Sequence, residues 1–537
     1  MLACLVLSNA AWAIDFTPHG TQPGLAWGME EPMACSSCHR GFSGNDPNFM
    51  PHSTWGGSMM ANAMRDPLFW AALDIANKDY PGVGDFCLRC HTPPGWLAGR
   101  VVKAIGGGST GPGGASGCQL NGDYDDNDGK SNDYAGVTCH FCHRMMPTGP
   151  AGQPGMIGNA NIWIDDSSTC TNPSGDTFGG PCRRGPYAYT SGFLEPPHGW
   201  VASPYHQDSK LCGTCHDVTT PDTDEGPLKT LVLEGGVATT RPMPLERTYS
   251  EWNNSLFSET IFRDGMGEGP DLVPAIAKAQ QCQNCHMRSS DDPEAKACNQ
   301  NPDGSRTGNL PVHEFAGANT WIPSIIKTEY ANGVTGFDRE ADFDRTIASA
   351  RAMLESSASV ETSILAYSPP TAGSAGSISV RVKVTNLSGH KLPTGYAEGR
   401  RLWLEVAAYA NGSDTPFWRS GVYDAATGLL TNGDSPVKVY EVEHGVWDSA
   451  ANGGTGGCVT TDNLGRKQFH FVLNDCIAKD NRIPPLGFRG GTNPELRPVG
   501  ATYPQTSPGS GILVNYDDVA YAIPVPLGTA TPIEVRA

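Results

Sequence analysis

The feature that most constrains this chain is a short motif, Cys-x-x-Cys-His, which occurs five times between residues 35 and 286. Residue frequencies predict only roughly 0.01 copies by chance in a chain of this length. Within one helical turn, residues i, i+3 and i+4 lie on one face, so two thiols and one imidazole point to the same side. The thiols can then bond to the vinyl groups of a haem while the imidazole binds its iron.

Other Cys-x-x-Cys sites explain the motif less well. Zinc ribbons pair two such units without needing the histidine that follows, and a redox dithiol needs only one pair. We therefore predict five haem c groups, attached at motifs 1 to 5 in chain order. The predicted thioether residues are Cys35, Cys38, Cys87, Cys90, Cys139, Cys142, Cys212, Cys215, Cys282 and Cys285. The predicted proximal iron ligands are His39, His91, His143, His216 and His286.

The second axial position of each iron distinguishes a six-coordinate electron carrier from an open, catalytic haem. Nine further histidines are available for five such positions, which favours six-coordination. Met59, Met60 and Met287 are less favoured as ligands, because buried methionine more often fills gaps. His444 and His470 lie in strand-like stretches and are expected to be ordinary residues. The candidate distal ligands are His206, His313, His140, His390, His19, His52 and His198.

Local sequence supports several of these candidates. His140 lies inside motif 3, on the opposite side of the helical turn from His143, so it can reach a neighbouring haem. His206 just precedes motif 4 on an extended stretch. His313 and His390 lie in turns punctuated by Gly or Pro, which can present an imidazole rigidly.

Six cysteines remain besides the motifs and Cys4. An even remainder in an exported chain indicates disulfides, and unpaired buried thiols are the alternative. The predicted pairs are Cys170–Cys182 and Cys458–Cys476, from their short loops, and Cys118–Cys298 by elimination.

The first 13 residues are predicted to be a signal peptide, because an apolar run ends in the small-x-small sequence Ala11-Trp12-Ala13. No Lys or Arg precedes Arg40, so a start further upstream stays open. No later run reaches the roughly 18 apolar residues of a membrane span. We expect an exported protein without a transmembrane segment, located in the periplasm or outside the cell.

The chain is predicted to have a mixed fold. A loop-rich, partly helical multihaem domain would span residues 14–337, a linking helix 338–359 and an antiparallel β-sandwich domain 360–537. One helix is predicted after Asp66, with apolar residues at helical spacing: Leu68, Ala71, Ala72, Ile75 and Ala76. Alternating apolar residues predict a strand at 378–384, and further strands are predicted at 401–410, 437–443, 467–473, 512–526 and 533–537.

A dense acidic turn follows a glycine-rich insertion at residues 106–117. Its oxygen-bearing side chains suggest Ca²⁺, but the spacing does not match an EF-hand loop and the closing Glu is missing, so a solvated acidic loop is the favoured alternative. The candidate calcium ligands are Asp123, Asp125, Asn127 and Asp128.

Composition limits the partners. With 56 Asp and Glu against 37 Lys and Arg, the net charge of −19 argues against nucleic acid or an anionic membrane as the main partner. The 65 Gly and 43 Pro favour loops, and 38% hydrophobic residues make a thin core for this length unless porphyrins add apolar mass. The acidity favours partner cytochromes that dock through basic surfaces.

Four stretches resemble exported multihaem c-type cytochromes of the cytochrome c-554 and hydroxylamine oxidoreductase lineage. They are residues 55–58 (WGGS), 203–218 (SPYH leading into motif 4), 282–287 (CQNCHM) and 388–395 (SGHKLPTG). The resemblance implies closely stacked haems in an electron carrier or a multi-electron reductase or oxidase; some related proteins form conducting filaments. Where relatives carry His after Trp-x-x-Ser, this chain has Met59-Met60, which leaves His19 or His52 to serve instead.

The favoured interpretation is electron transfer between protein partners, other cytochromes or a quinol-linked donor, by five mostly bis-His haems. One alternative is a reductase or oxidase of a small nitrogen or sulfur compound at one open haem. No Cys-x-x-Cys-Lys variant, which resembles the active-site haem of pentahaem nitrite reductases, is present. Another alternative is self-association into an extracellular cytochrome filament.

Overall fold

The computed structural model describes residues 24–42, 44–101, 120, 132–189, 195–223, 225–258, 281–330, 339–430 and 437–537. Within these residues the fold is mixed, with short helices and many small sheets joined by loops. The predicted signal peptide, His19, Cys118 and the candidate calcium ligands lie outside the described residues.

Most of the helices precede residue 331. They are α1 (Pro32–His39), α2 (Pro51–Gly56), α3 (Pro67–Asp79), α4 (Gly84–His91), α5 (Pro93–Leu97), α6 (Cys139–Cys142), α7 (Ser209–Gly213), α8 (Thr248–Asn253), α9 (Cys282–His286), α10 (Ile322–Glu329), α11 (Glu340–Ser357) and α12 (Ala451–Gly454). Motifs 1 to 5 lie on, or at the end of, α1, α4, α6, α7 and α9. This placement puts both thiols and the histidine of a motif on one side of a helical turn.

Helix α3 begins where the sequence predicts. The Asp66 carboxylate caps it by accepting a hydrogen bond from the main-chain N–H of Leu68 at 2.8 Å. The predicted apolar face was wrong in part, because Leu68 is 48% exposed while Trp70, Leu73 and Ala76 are buried.

Strands before residue 331 are short, and they form two-stranded sheets. They are β1 (Met145–Met146), β2 (Trp163–Ile164), β3 (Thr169–Thr171), β4 (Thr177–Gly179), β5 (Arg183–Gly185), β6 (Trp200–Ala202), β7 (Val218–Thr219), β8 (Asp222–Thr223), β9 (Gly226–Pro227), β10 (Thr230–Leu233), β11 (Val237–Pro242), β12 (Pro244–Glu246), β13 (Ser289–Ser290) and β14 (Leu310–Pro311). The β5–β6 pair is parallel, and the others are antiparallel.

The later part of the described chain carries both long and short strands. They are β15 (Ala358–Ser368), β16 (Gly376–Asn386), β17 (Leu402–Trp403), β18 (Val406–Tyr409), β19 (Pro416–Ser420), β20 (Tyr423–Asp424), β21 (Leu429–Leu430), β22 (Val439–Tyr440), β23 (Val442–Asp448), β24 (Gly457–Val459), β25 (Cys476–Asp480), β26 (Tyr516–Val525) and β27 (Glu534–Arg536). Of these, β15, β16 and β26 have ten or eleven residues. Three antiparallel sheets have three strands each, in the orders β15–β16–β26, β19–β18–β27 and β24–β23–β25.

One hydrophobic cluster joins several of these strands. It combines the inward side chains of β16 and β26 with residues of β18 and β22. Its fully buried members are Val380, Val382, Val406, Ala408, Ile483, Phe488, Ile523 and Val525. The alternation on β16 places its valines in this core, as the sequence predicts.

The predicted strand at 467–473 was wrong. Lys467 makes an isolated bridge, and residues 468–473 form no strand. The segment is held by side chains instead: Val472 is buried in a small cluster with residues of α3 and α4, and His470 Nδ1 lies 3.0 Å from Asp79.

Two predicted disulfides are confirmed, Cys170–Cys182 and Cys458–Cys476. The prediction that Cys298 is bridged was wrong, because its thiol is free. It lies in contact with Cys38 of motif 1. Its predicted partner, Cys118, lies outside the described residues.

Candidate haem-binding sites

All five motif histidines are oriented by the same kind of contact. Each directs Nδ1 at an oxygen, which only accepts, so Nδ1 carries a proton, and Nε2 of the neutral ring is then unprotonated. This is the tautomer that binds a metal through Nε2, and such a contact also fixes the ring orientation. The contacts are His39 to Ala297 O (2.6 Å), His91 to Ala63 O (3.5 Å), His143 to Arg184 O (2.5 Å), His286 to Ala316 O (2.5 Å) and His216 to Glu246 Oε1 (3.2 Å).

The accepting oxygens come from loops and short strands remote from the motifs. Ala297 lies 258 residues from His39, and Arg184 lies on β5, 41 residues after His143. A chain rich in Gly and Pro can bring such irregular segments against a motif helix. The loops are therefore what orients the candidate iron ligands.

Close packing also constrains motif 4. A Cβ added to Gly213, between the two cysteines, would lie 2.4 Å from the Tyr249 ring. The main-chain N–H of Tyr249 donates to the carbonyl of His216 at 2.9 Å. Helix α8 thus packs directly onto this motif.

Two candidate distal histidines stand opposite motif histidines. The ring centres of His143 and His313 are 6.3 Å apart, and so are those of His286 and His390. Two imidazoles bound through Nε2 on opposite sides of one metal, with metal–N bonds of about 2.0 Å, have ring centres about 6 Å apart. Both pairs therefore match the separation that a shared iron requires.

The two distal candidates also have the required tautomer. His313 Nδ1 donates to the carbonyl of Pro311 at 2.9 Å, and His390 Nδ1 to that of Lys391 at 3.1 Å. Desolvation lowers the pKa of His313 to about 3 and that of His390 to about 4. Both rings are thus neutral at physiological pH, as a metal ligand must be.

His206 lies near the same iron site but is differently arranged. Its ring centre is 5.5 Å from that of His143. However, its Nε2 donates to the carbonyl of Cys142 at 2.9 Å, and its Nδ1 lies 3.2 Å from Ser203 Oγ. The nitrogen that would bind iron is therefore engaged with motif 3 itself.

His140 also has the opposite tautomer. Its Nδ1 accepts a hydrogen bond from the main-chain N–H of Glu30 at 2.7 Å, so a neutral ring carries its proton on Nε2. That Nε2 is buried and has no hydrogen-bond partner.

His52 and His198 lie in different environments. His52 is 5% exposed on α2, and its Nε2 is buried with no hydrogen-bond partner. Burial lowers its pKa to about 3, and proximity to His39 contributes to this shift. His198 is half-buried, and its Nδ1 lies 3.3 Å from the carbonyl of Gly199.

Three motif histidines differ from His143 and His286. Among the described residues, no second imidazole stands at a comparable ring separation from His39, His91 or His216. The ring of Phe69 stacks on His91 with centres 3.7 Å apart. His444 and His470 instead face carboxylates, Glu398 and Asp79.

The motifs approach one another through their thiols. Contacts join Cys35 of motif 1 to Cys139 of motif 3, Cys90 of motif 2 to Cys215 of motif 4, and Cys212 of motif 4 to Cys282 of motif 5. The neighbouring Cys215 also contributes to the raised pKa of Cys142 of motif 3. Motif 4 is therefore adjacent to motifs 2, 3 and 5, whereas motif 1 adjoins motif 3.

A buried ion network fixes the loop that carries His390. The Lys391 ammonium lies 2.6 Å from Asp480, and Arg482 forms a two-point contact with the same carboxylate. Arg482 also lies 3.0 Å from Glu251 of α8, which accepts the main-chain N–H of Lys391 at 3.1 Å. The network joins the later β-rich part of the chain to the helix that packs on motif 4.

Sequence reasoning did not find the orienting oxygens. A main-chain carbonyl carries no residue-type signal, and Glu246 is 30 residues from His216 with no motif of its own. The motif residues and the candidates His313 and His390 were named from sequence, whereas the pairing of these candidates with His143 and His286 and the orienting groups depend on the fold.

No helix in the described part of the chain is both long and apolar enough to cross a membrane. Comparison with known protein families and with curated proteins finds no match. Among solved structures, the fold is similar to a penta-heme cytochrome c552 from Thermochromatium tepidum, with a TM-score of 0.45 and 16% sequence identity over 94% of this chain and 89% of that chain.

Proposed function

We propose that this protein transfers electrons between protein partners by means of five covalently bound c-type haems. The observation that carries the proposal is that all five Cys-x-x-Cys-His histidines have Nδ1 anchored to an oxygen, which presents Nε2 to a metal. Bound haem c supplies one-electron chemistry between ferric and ferrous iron.

The residues of each motif have different roles in holding a haem. The two cysteines would form the thioether bonds, and the motif histidine would bind the iron. His313 would be the second ligand at motif 3 and His390 the one at motif 5, because their ring separations and tautomers match. His52 is the candidate at motif 1, supported by its buried, unpartnered Nε2 and its proximity to His39.

The thiol contacts support a continuous route. Motifs 1 and 3 adjoin, motif 3 adjoins motif 4, and motif 4 adjoins both motif 2 and motif 5. Neighbouring attachment sites keep cofactors within the short distances that rapid electron exchange needs. The route therefore has motif 1 at one end and a branch at motif 4.

The proposal also covers the domain organisation of the chain and the location of the protein. Residues 14–337 form the haem-bearing domain, 338–359 the linking helix and 360–537 a β-sandwich that supplies His390. The protein is exported and acts in the periplasm or outside the cell. The net charge of −19 favours redox partners that dock through basic surfaces.

A second function has a specific observation behind it. His91 and His216 have no second imidazole at ligand separation among the described residues. An open position at motif 2 or motif 4 would let a small nitrogen or sulfur compound reach iron, and the protein would then be a multihaem reductase or oxidase.

Haem counting and spin state test both functions. The pyridine haemochrome assay should give five haems per chain; fewer would contradict the proposal. Low-temperature EPR and CO addition to the reduced protein then separate the functions, since low-spin iron without a CO complex contradicts the enzyme and a CO complex at one iron supports it.

Ligand variants test the assignments. His313→Ala and His390→Ala should each convert one haem to the high-spin form. His206→Ala is the matched control, because it removes an imidazole beside motif 3 whose Nε2 is already hydrogen-bonded, and it should leave the spin states unchanged.

A further inference from the structure

Motif 4 differs from the other motifs in what orients its histidine. Glu246 Oε1 lies 3.2 Å from His216 Nδ1, whereas the other four motif histidines contact main-chain carbonyls. A carboxylate carries a full negative charge, and a carbonyl carries only a dipole. The five sites are thus unequal in the charge placed against their proximal ligand.

The contact is built into the local fold. Strand β7 begins two residues after His216 and pairs with β12, with Val218 opposite Glu246. The hydroxyl of Thr248 donates to Glu246 Oε1 at 3.1 Å. Strand register and this hydrogen bond hold the carboxylate at the end of motif 4.

The electronic effect follows from charge. A carboxylate that accepts the Nδ1 proton increases the basicity of the imidazole, and a more basic ligand stabilises ferric over ferrous iron. The Arg400 guanidinium, a charged neighbour of Glu246, partly offsets this effect. The net effect is a lower reduction potential for the haem at motif 4.

We propose that Glu246 makes the haem at motif 4 the lowest-potential centre of the five. Because motif 4 adjoins motifs 2, 3 and 5, its haem would remain oxidised until its neighbours are reduced. Glu246 is a positioning residue that acts through His216 and makes the branch of the route a control point. This inference rests on the proposed function.

The test is a spectroelectrochemical titration of the purified holoprotein, fitted to five one-electron centres. In the Glu246→Gln variant, the lowest potential should rise and the other four should stay constant, and the EPR g-values of one haem should change. The control Glu234→Gln removes an equal charge from an exposed turn and should shift none of the centres selectively.

Failure of the proposed function and failure of the role of Glu246 give different results. Fewer than five haems in the unsubstituted protein contradict the proposed function. Five haems with unchanged potentials in Glu246→Gln, or with a shift in a centre other than the lowest, contradict the role of Glu246. If Glu246→Gln does not accumulate, Glu246→Asp keeps the charge but withdraws the carboxylate by one methylene; the lowest potential should rise there too, and no rise overturns the inference.

Discussion

The motif-bearing region and the later β-rich region are stabilised in different ways. Before residue 331, short helices and two-stranded sheets surround one cluster of ten buried residues and several smaller ones. After residue 339, β16, β18 and β26 share one larger hydrophobic cluster. Fewer elements of the first region are stable on their own, since a two-stranded sheet has only marginal stability without further packing.

This contrast suggests a division of roles. Under the proposed function, the first region would position the ligands and would depend on covalent cofactors for much of its packing. The second region forms its own core and would contribute a distal ligand from the loop at His390. Rigid elements hold a functional group more accurately than loops alone, so the second region stabilises motif 5 from outside.

The strongest test of the contrast is to produce the chain without haem attachment. Amides of α4 and α6 should then exchange hydrogen at nearly unprotected rates, while those of β16 and β26 stay protected, because the second core consists of protein alone. Hydrogen exchange with mass spectrometry measures both regions in one sample. Equal loss of protection in the two regions would show that the β-rich region also requires haem.

The Lys391 network tests how firmly the regions are joined. Lys391→Met removes one cation from a buried cluster and leaves Asp480 less compensated. Losing a buried charge partner should lower the free energy of unfolding by about 3 kcal/mol. Because Lys391 follows His390, one haem should also gain high-spin character.

Chemical denaturation followed by tryptophan fluorescence and by the haem spectrum measures both effects. Lys78→Met, at an exposed position of α3, is the matched control and should change neither. A destabilised but fully low-spin Lys391→Met protein would separate stability from ligand positioning.

The same comparison shows which features were predictable. Chemistry carried by residue type and spacing was read directly from the motifs, and the strong alternation on β16 predicted a buried strand correctly. The alternation of apolar residues at 467–473 led to a wrong strand prediction, because the side chains there pack against α3 and the backbone forms no β-sheet pairing. The contacts of His39 with Ala297 and of His216 with Glu246 depend on chain segments brought together only by folding.

A cavity in the hydrophobic core of the β-rich region should destabilise that region without affecting the haem sites. Ile523 is fully buried on β26, so Ile523→Ala should lower the free energy of unfolding by about 2–5 kcal/mol without changing the haem spin states. The matched control is Ile364→Ala on β15, where the side chain is 54% exposed and the loss should be much smaller. Denaturant titration checks both, and a change in the haem spectrum of Ile523→Ala would contradict the independence of this core.

The smallest expected effect is a pH dependence confined to the second region. Burial raises the pKa of Glu398 to about 7, and its carboxylate lies 3.5 Å from His444 Nδ1. The folded protein therefore holds this proton up to a higher pH than the unfolded chain does. Stability from this group is fully present below the unfolded pKa, near 4.5, and is lost as pH rises through 7.

Glu398→Gln should consequently flatten the decline in the free energy of unfolding between pH 4.5 and 7 by about 1–3 kcal/mol. Denaturant midpoints at several pH values measure this decline for both proteins. Glu355→Gln on α11, at an exposed position, is the control and should keep the original slope. An unchanged slope in Glu398→Gln would mean that Glu398 is ionised in the folded protein, and that the second region tolerates a buried charge there as it does at Asp480.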